Sequence, residues 1–169
     1  SVIKAAYRKQ GLISGKKYSA ILTTSSIEQA QKYYRIFKKI IDGEDEKFKI
    51  PERIKKVAPD FPKIAITYSV SENEDDSESV QDEMKQSLAD YNAVYGTNFS
   101  MAELDQYNQN VNARLARKKA QYQADNQRLD LVIVVNRLLT GFDSPSLSTL
   151  YIDRPPMSPQ DIIQAFSRT

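Results

Sequence analysis

The chain of 169 residues contains no cysteine and no histidine. Without cysteine there can be no disulfide, no thiolate-built structural zinc site and no thiol nucleophile, a usage that fits a reducing compartment. Without histidine the commonest general base and the usual metal ligand are gone, which excludes Ser-His-Asp hydrolysis and His-built metal sites. No apolar run approaches the roughly 18 residues of a membrane span, and the first residues lack a signal-peptide layout. Charge of one sign is also lacking. The net charge is +2, so any basic footprint for a nucleic acid must be local.

What is present is ordinary for a soluble globular protein: 40% hydrophobic and 27% charged residues, enough for one domain with a real core. The start at Ser1 without Met, and the stop inside a periodic helical pattern, read as a piece of a larger protein.

Four apolar segments, near residues 18–23, 63–69, 129–135 and 147–153, read as strands. Helical patterns lie between and around them. A short one covers residues 1–10 and ends at Gly11. The next runs through IEQAQKYYRIFKKII, with Ile27, Ala30, Tyr33 or Tyr34, Phe37 and Ile40/Ile41 at helical spacing and Ser25 or Ser26 as N-cap. Residues 42–62, with Pro51, Pro59 and Pro62, read as a polar connection. The acidic run Glu72, Glu74, Asp75, Asp76 and Glu78 reads as a solvated loop, since its spacing matches no calcium loop.

Val80 to Tyr95 is predicted helical and stopped by Gly96. A second helix opens on a capping box, Ser100 with Glu103, and carries Leu104, Tyr107, Val111, Leu115 and Tyr122 as its apolar positions. Its other faces carry Arg114, Arg117, Lys118 and Lys119, a basic stripe that reads first as solvated and second as a phosphate contact. Ser158-Pro159-Gln160-Asp161 starts a final helix.

This alternation predicts an α/β domain whose mainly parallel sheet is covered by helices on both faces. Ligands of such a sheet bind beyond the carboxyl ends of its strands. Three polar turns are expected at that edge: Thr24-Ser25, Thr140-Gly141-Phe142-Asp143, and the loop after Asp153. The first precedes a helix N-terminus, where unpaired N–H groups suit an anion, although capping alone accounts for the hydroxyls. Gly141 permits close backbone approach, Thr140 offers a hydroxyl and an N–H, and Asp143 is able to accept from a ribose or to orient an arginine. Arg168 brings a forked cation suited to phosphate oxygens, with Gln164 one helical turn earlier on the same face.

Together these strings resemble a known family. LLTGFDSPSLSTLYID followed by IIQAFSRT is similar to motifs V and VI of superfamily-2 helicases, in the form found in the motor (restriction, R) subunit of type I restriction-modification enzymes. YNAVYGTNFS resembles that family's insertion, and ILTTSSIEQAQKYY its motif IV. The resemblance runs from about Tyr18 to the end and is most specific in the last forty residues.

The resemblance implies a RecA-like, P-loop-NTPase-type three-layer α/β/α domain over residues 1–169, with a polar and helical insertion at about 70–125. It would be the second such domain of an ATP-driven DNA translocase. It implies Thr24, Ser25 and Thr140 near DNA phosphates, and Gly141, Asp143 and Gln164 at the nucleotide and coupling interface. Arg168 would complete the ATP site from across a cleft.

ATP and Mg2+ would be held mainly by a first RecA-like domain. The implied partners are double-stranded DNA, the first RecA-like and nuclease domains of the same chain, and methyltransferase and specificity subunits, in the bacterial cytoplasm with no membrane. The chain departs from the family pattern where it stops at Thr169, before an expected Asn-Arg. It has no Walker A loop, no Asp-Glu metal box in a suitable context and no nuclease motif, and Arg137 stands where an apolar residue is expected. Alone it is expected to be inactive. Competing readings are a superfamily-2 helicase from repair or transcription, and a non-catalytic α/β interaction module.

Overall fold

The computed structural model describes residues 18–68, 78–135 and 146–153. The strands are β1 (Ser19–Thr24), β2 (Ile64–Thr67), β3 (Leu131–Val135) and β4 (Leu147–Asp153); the helices are α1 (Ile27–Asp42), α2 (Glu52–Val57), α3 (Glu78–Tyr95) and α4 (Leu104–Ala116). The strands form one sheet in the order β2-β3-β1-β4, and every neighbouring pair is parallel. The fold is the α/β, RecA-like arrangement expected from the sequence.

All six residues of β1 and the first four of β3 are buried. Successive side chains point to opposite faces, so burial of every residue means that both faces of these central strands are covered. That is why they read as continuous apolar runs. The four strands fall within one or two residues of their predicted places, though β2 is shorter, at Ile64–Thr67.

Helix α1 begins where predicted, and Ser26 is its N-cap: extended in φ and ψ, its hydroxyl accepts from the Gln29 N–H at 3.2 Å. The spacing of its apolar residues buries Ala30, Tyr34, Phe37 and Ile40, with Tyr33 half-buried and packed against the same core. Gly43 ends the helix at φ 80°, a left-handed conformation that favours glycine.

Three expectations need correction. The segment 42–62 is not wholly a loop: α2 lies within it, entered through Pro51, and buries Ile54. The helix after the capping box ends at Ala116, with Arg117 in the left-handed region at φ 53°, so Tyr122 is buried from a 3-10 turn at Ala120–Tyr122. The capping box itself is present, with both Ser100 N–H (3.1 Å) and Ser100 Oγ (2.9 Å) donating to Glu103 Oε2, and it opens a 3-10 turn leading into α4.

The third correction concerns the basic stripe. Lys118 and Lys119 are exposed, but Arg114 and Arg117 are buried, at 3% and 8% exposure. The Arg114 guanidinium lies 3.9 Å from the Tyr95 ring centroid, 5.0 Å from Tyr122 and 5.8 Å from Tyr91. Its Nε donates to Asn110 Oδ1 (2.8 Å), and its Nη1 to Gln127 Oε1 (2.5 Å) and the Gln127 carbonyl (3.3 Å). Arg117 Nη2 reaches Ser19 Oγ (2.7 Å) and the Leu129 carbonyl (3.2 Å), at the amino ends of β1 and of the segment entering β3. Neither forms a solvated face or a phosphate contact: Arg114 ties α3 and α4 to the segment that precedes β3, and Arg117 ties the end of α4 to β1.

Both helices also cover β2, which ends the described sheet. Tyr107 of α4, fully buried, donates its hydroxyl to the Ile66 carbonyl at 2.8 Å, giving a partner to an edge-strand oxygen. The predicted helix at residues 1–10, residues 72–76 of the acidic run and the final helix lie outside the described residues, whereas Glu78, read as part of that loop, is the first residue of α3.

Candidate functional site

In the parallel register Thr24 stands beside Val135 on one side and Asp153 on the other. The chain therefore leaves β1, β3 and β4 at neighbouring points on one edge of the sheet, their carboxyl ends, where an open α/β sheet takes its ligands. Of the predicted site residues, Thr24 and Ser25 are described and lie at this edge; Thr140, Gly141, Asp143, Gln164 and Arg168, with Arg137, lie outside the described residues.

Thr24 is fully buried. Its hydroxyl turns inward, toward the carbonyls of Ser26 (3.2 Å) and Val134 (3.3 Å), so its side chain fixes the turn between β1 and α1. Ser25 is half-buried and sits one residue beyond. Its N–H and its Oγ both donate to a single oxygen, Gln29 Oε1, at 3.0 and 2.9 Å.

Gln29 reaches two ways. Its Nε2 donates to Asp153 Oδ2 at 2.9 Å, and Tyr33, one turn further along α1, donates its hydroxyl to the same carboxylate oxygen. A carboxylate only accepts, so Asp153 fixes which end of the Gln29 amide faces it and turns the carbonyl end toward Ser25. The hydrogen bond to Asp153, then burial, then the negative charge of Asp153 raise the Tyr33 pKa above its ordinary value, so the phenol, already a donor at neutral pH, remains one in more alkaline solution.

This network of Ser25, Gln29, Asp153 and Tyr33 is the polar cluster that joins the β1–α1 turn to the end of β4. Sequence reading found Ser25 and missed the other three. Gln29 and Tyr33 occupy the helix spacing i, i+4, but the partner that gives them meaning is 124 and 120 residues away.

A groove of about 390 Å³ lies between α1 and α3, lined by Gln31, Tyr34, Arg35, Lys38, Glu83 and Asp90 among others. Its walls are internally paired: Arg35 with Glu83, Lys38 with Asp90 at 3.6 Å, and the Tyr34 hydroxyl with Asp90 at 3.0 Å. It shares no residue with the cluster at the carboxyl edge. Lys32, Arg35 and Lys39 are exposed on α1. Among the described residues no group of three or more carboxylates is placed to hold a metal ion, and no helix is long and apolar enough to cross a membrane.

Residues 16–169 match the family described as type I restriction enzyme subunit R domain 3. The chain belongs to that family. Curated relatives of this R-subunit domain agree. The chain is 33% identical over 159 residues to the type I restriction enzyme SauCOLORF180P endonuclease subunit of Staphylococcus aureus (strain COL), and 34% identical over 160 residues to the SsaAORF53P endonuclease subunit of Staphylococcus saprophyticus. Each alignment covers 91% of this chain and 15% of the relative, so the chain spans about a seventh of the length of these subunits. Membership in this family sets aside the repair or transcription helicase.

Proposed function

We propose that R-subunit domain 3 is the second RecA-like domain of the ATP-driven DNA translocase in a type I restriction endonuclease subunit, with residues 1–169 as one unit and about 70–125 as its insertion. The observation that carries this reading is the in-register ending of β1, β3 and β4 at one edge. The turn bearing Ser25 opens there, and the two segments bearing Thr140, Gly141 and Asp143, and Gln164 and Arg168, begin there.

In this reading Ser25 and Thr140 hold the DNA backbone, with Thr24 fixing the turn; N–H and hydroxyl donors of this kind position a duplex without reading its sequence. Arg168 faces ATP held, with Mg2+, mainly by a first RecA-like domain. An arginine delivered across an interface stabilises charge on the transferring phosphoryl group. Gly141, Asp143 and Gln164 link the two ends. Hydrolysis opens the cleft and alters the grip on the backbone, so the duplex moves before it is cut. Duplex DNA, the other domains of the subunit, and methyltransferase and specificity subunits are the partners, in the bacterial cytoplasm.

The test is Arg168→Ala in the full-length subunit assembled with its partners. DNA-stimulated ATP turnover is expected to fall by about 10³-fold or more, as for loss of other trans arginines, while the melting profile is unchanged. Near-normal turnover would leave the non-catalytic module as the better reading.

A further inference from the structure

Two donors of Ser25, its N–H and its hydroxyl, converge on one neutral oxygen, Gln29 Oε1. Convergent backbone and hydroxyl donors are what a phosphate oxygen takes from a protein, and a charged acceptor makes the stronger bond. The acceptor now in place is mobile in principle, a side-chain amide on the first turn of α1, yet it is held at its far end by Asp153, which Tyr33 holds in turn. Asp153 is the last residue of β4, beside Thr24 in the register.

We propose that Gln29 is a positioning residue for the Ser25 contact. Its oxygen holds both Ser25 donors while DNA is absent and yields them to a backbone phosphate when DNA arrives. Through Nε2 and Asp153 the same exchange is felt at the carboxyl end of β4, the strand that leads to the segment carrying Gln164 and Arg168. This rests on the reading that Ser25 contacts DNA. Tyr33 and Asp153 serve by fixing the orientation of the Gln29 amide.

The proposal has an unusual sign. A residue that merely braces the turn would weaken DNA binding when removed, whereas a residue that competes with DNA for Ser25 strengthens it. The experiment uses the full-length subunit and a fluorescently labelled linear duplex, titrated by anisotropy at one fixed salt concentration, with the thermal melt of each variant as a folding check.

Gln29→Ala is expected to tighten binding by roughly threefold to tenfold, the effect of removing one or two competing hydrogen bonds of ordinary net strength. Gln29→Glu, a charged competitor for the same donors, is expected to weaken it, and Ser25→Ala to weaken it as well. Asp153→Asn, which loosens the anchor, is expected to fall between wild type and Gln29→Ala. If Ser25→Ala weakens binding but Gln29→Ala weakens it too, the competition is refuted while the DNA contact stands. If Ser25→Ala changes nothing, both the contact and the proposal fall.

Discussion

Replacing Arg114 by alanine separates a buried cation from a solvated one. The guanidinium is packed over three tyrosine rings, at 3.9, 5.0 and 5.8 Å, and makes hydrogen bonds to Asn110 and Gln127. Each desolvated cation–π contact contributes about 0.5–2 kcal/mol, and hydrogen bonds to a charged group contribute about 1.5–3 kcal/mol each. These contributions overlap because one group makes them all. Asn110 Oδ1 keeps a second donor, the Tyr91 hydroxyl at 2.7 Å, whereas both Gln127 acceptors lose the donor they share.

The expected loss for Arg114→Ala is therefore about 3–5 kcal/mol, from the packing over the three rings and from the Gln127 acceptors left without that donor. For a chain of this size that corresponds to a melting temperature lower by roughly 10 °C. The assay is urea and thermal unfolding of the purified chain followed by far-UV circular dichroism. Lys118→Ala, four residues on and exposed, is the control and is expected to stay within about 0.5 kcal/mol of wild type. Arg114→Lys keeps the charge but not the planar fork, and is expected to lose about half as much as alanine. If Arg114→Ala cost no more than Lys118→Ala, the aromatic box would not exist in solution and the stripe would be a solvated face after all.

Two further outcomes follow from buried polar groups. Burial pushes the Asp130 carboxyl up to about 6, against the Lys63 N–H at 2.8 Å and the charges of Lys63 and Arg117, which pull it down. A folded-state value above the unfolded one means that its stabilising share is full below about pH 4 and lost as pH rises through about 6, up to roughly 3 kcal/mol. Asp130→Asn is therefore expected to gain stability relative to wild type as pH rises from 4 to 7, read as the difference between two urea midpoints at each pH; a pH-independent difference would contradict the buried carboxyl. Tyr107→Phe removes only the hydroxyl that serves Ile66, and is expected to cost about 1–3 kcal/mol in the same unfolding assay because a buried carbonyl is left without that donor.

Strands β1 and β3 were legible because burial on both faces leaves a plain mark: LVIVV and AIL have no polar residue to interrupt them. The caps were legible because a serine beside a helix start has one efficient local bond to make, as Ser26 and Ser100 do. Helix α2 was hidden because the prolines around it read as a loop, although Pro51 only marks its entrance. Arg114 was misread on its charge. Its position, seven residues after Tyr107 and three after Val111, places it on the buried stripe of α4, and periodicity blind to residue type would have put it inside. The Gln29–Asp153 bond left no such trace, since no local pattern records a partner 124 residues away.

The two ends of β1 carry different duties. At its amino end Ser19 is held by Arg117 and donates to the Leu129 carbonyl, while Ala20 N–H donates to the Asp130 carbonyl at 2.8 Å, all within a buried polar lattice that includes Lys63. At its carboxyl end Thr24 is buried but Ser25 emerges, and the hydrogen bonds there run between half-buried side chains able to change partners. A strand of six residues separates the two by about 17–20 Å, roughly 3.3 Å per residue. The exchange of partners proposed at Ser25 would take place opposite a base held by Arg117, Ser19 and Asp130, and the hydrogen bonds of Gln29 and Asp153 connect it to α1 and β4. That arrangement also separates the experiments. Changes at Arg114, Asp130 or Tyr107 act on the stability of the whole fold, and changes at Gln29 or Asp153 act on the direction in which the carboxyl edge responds.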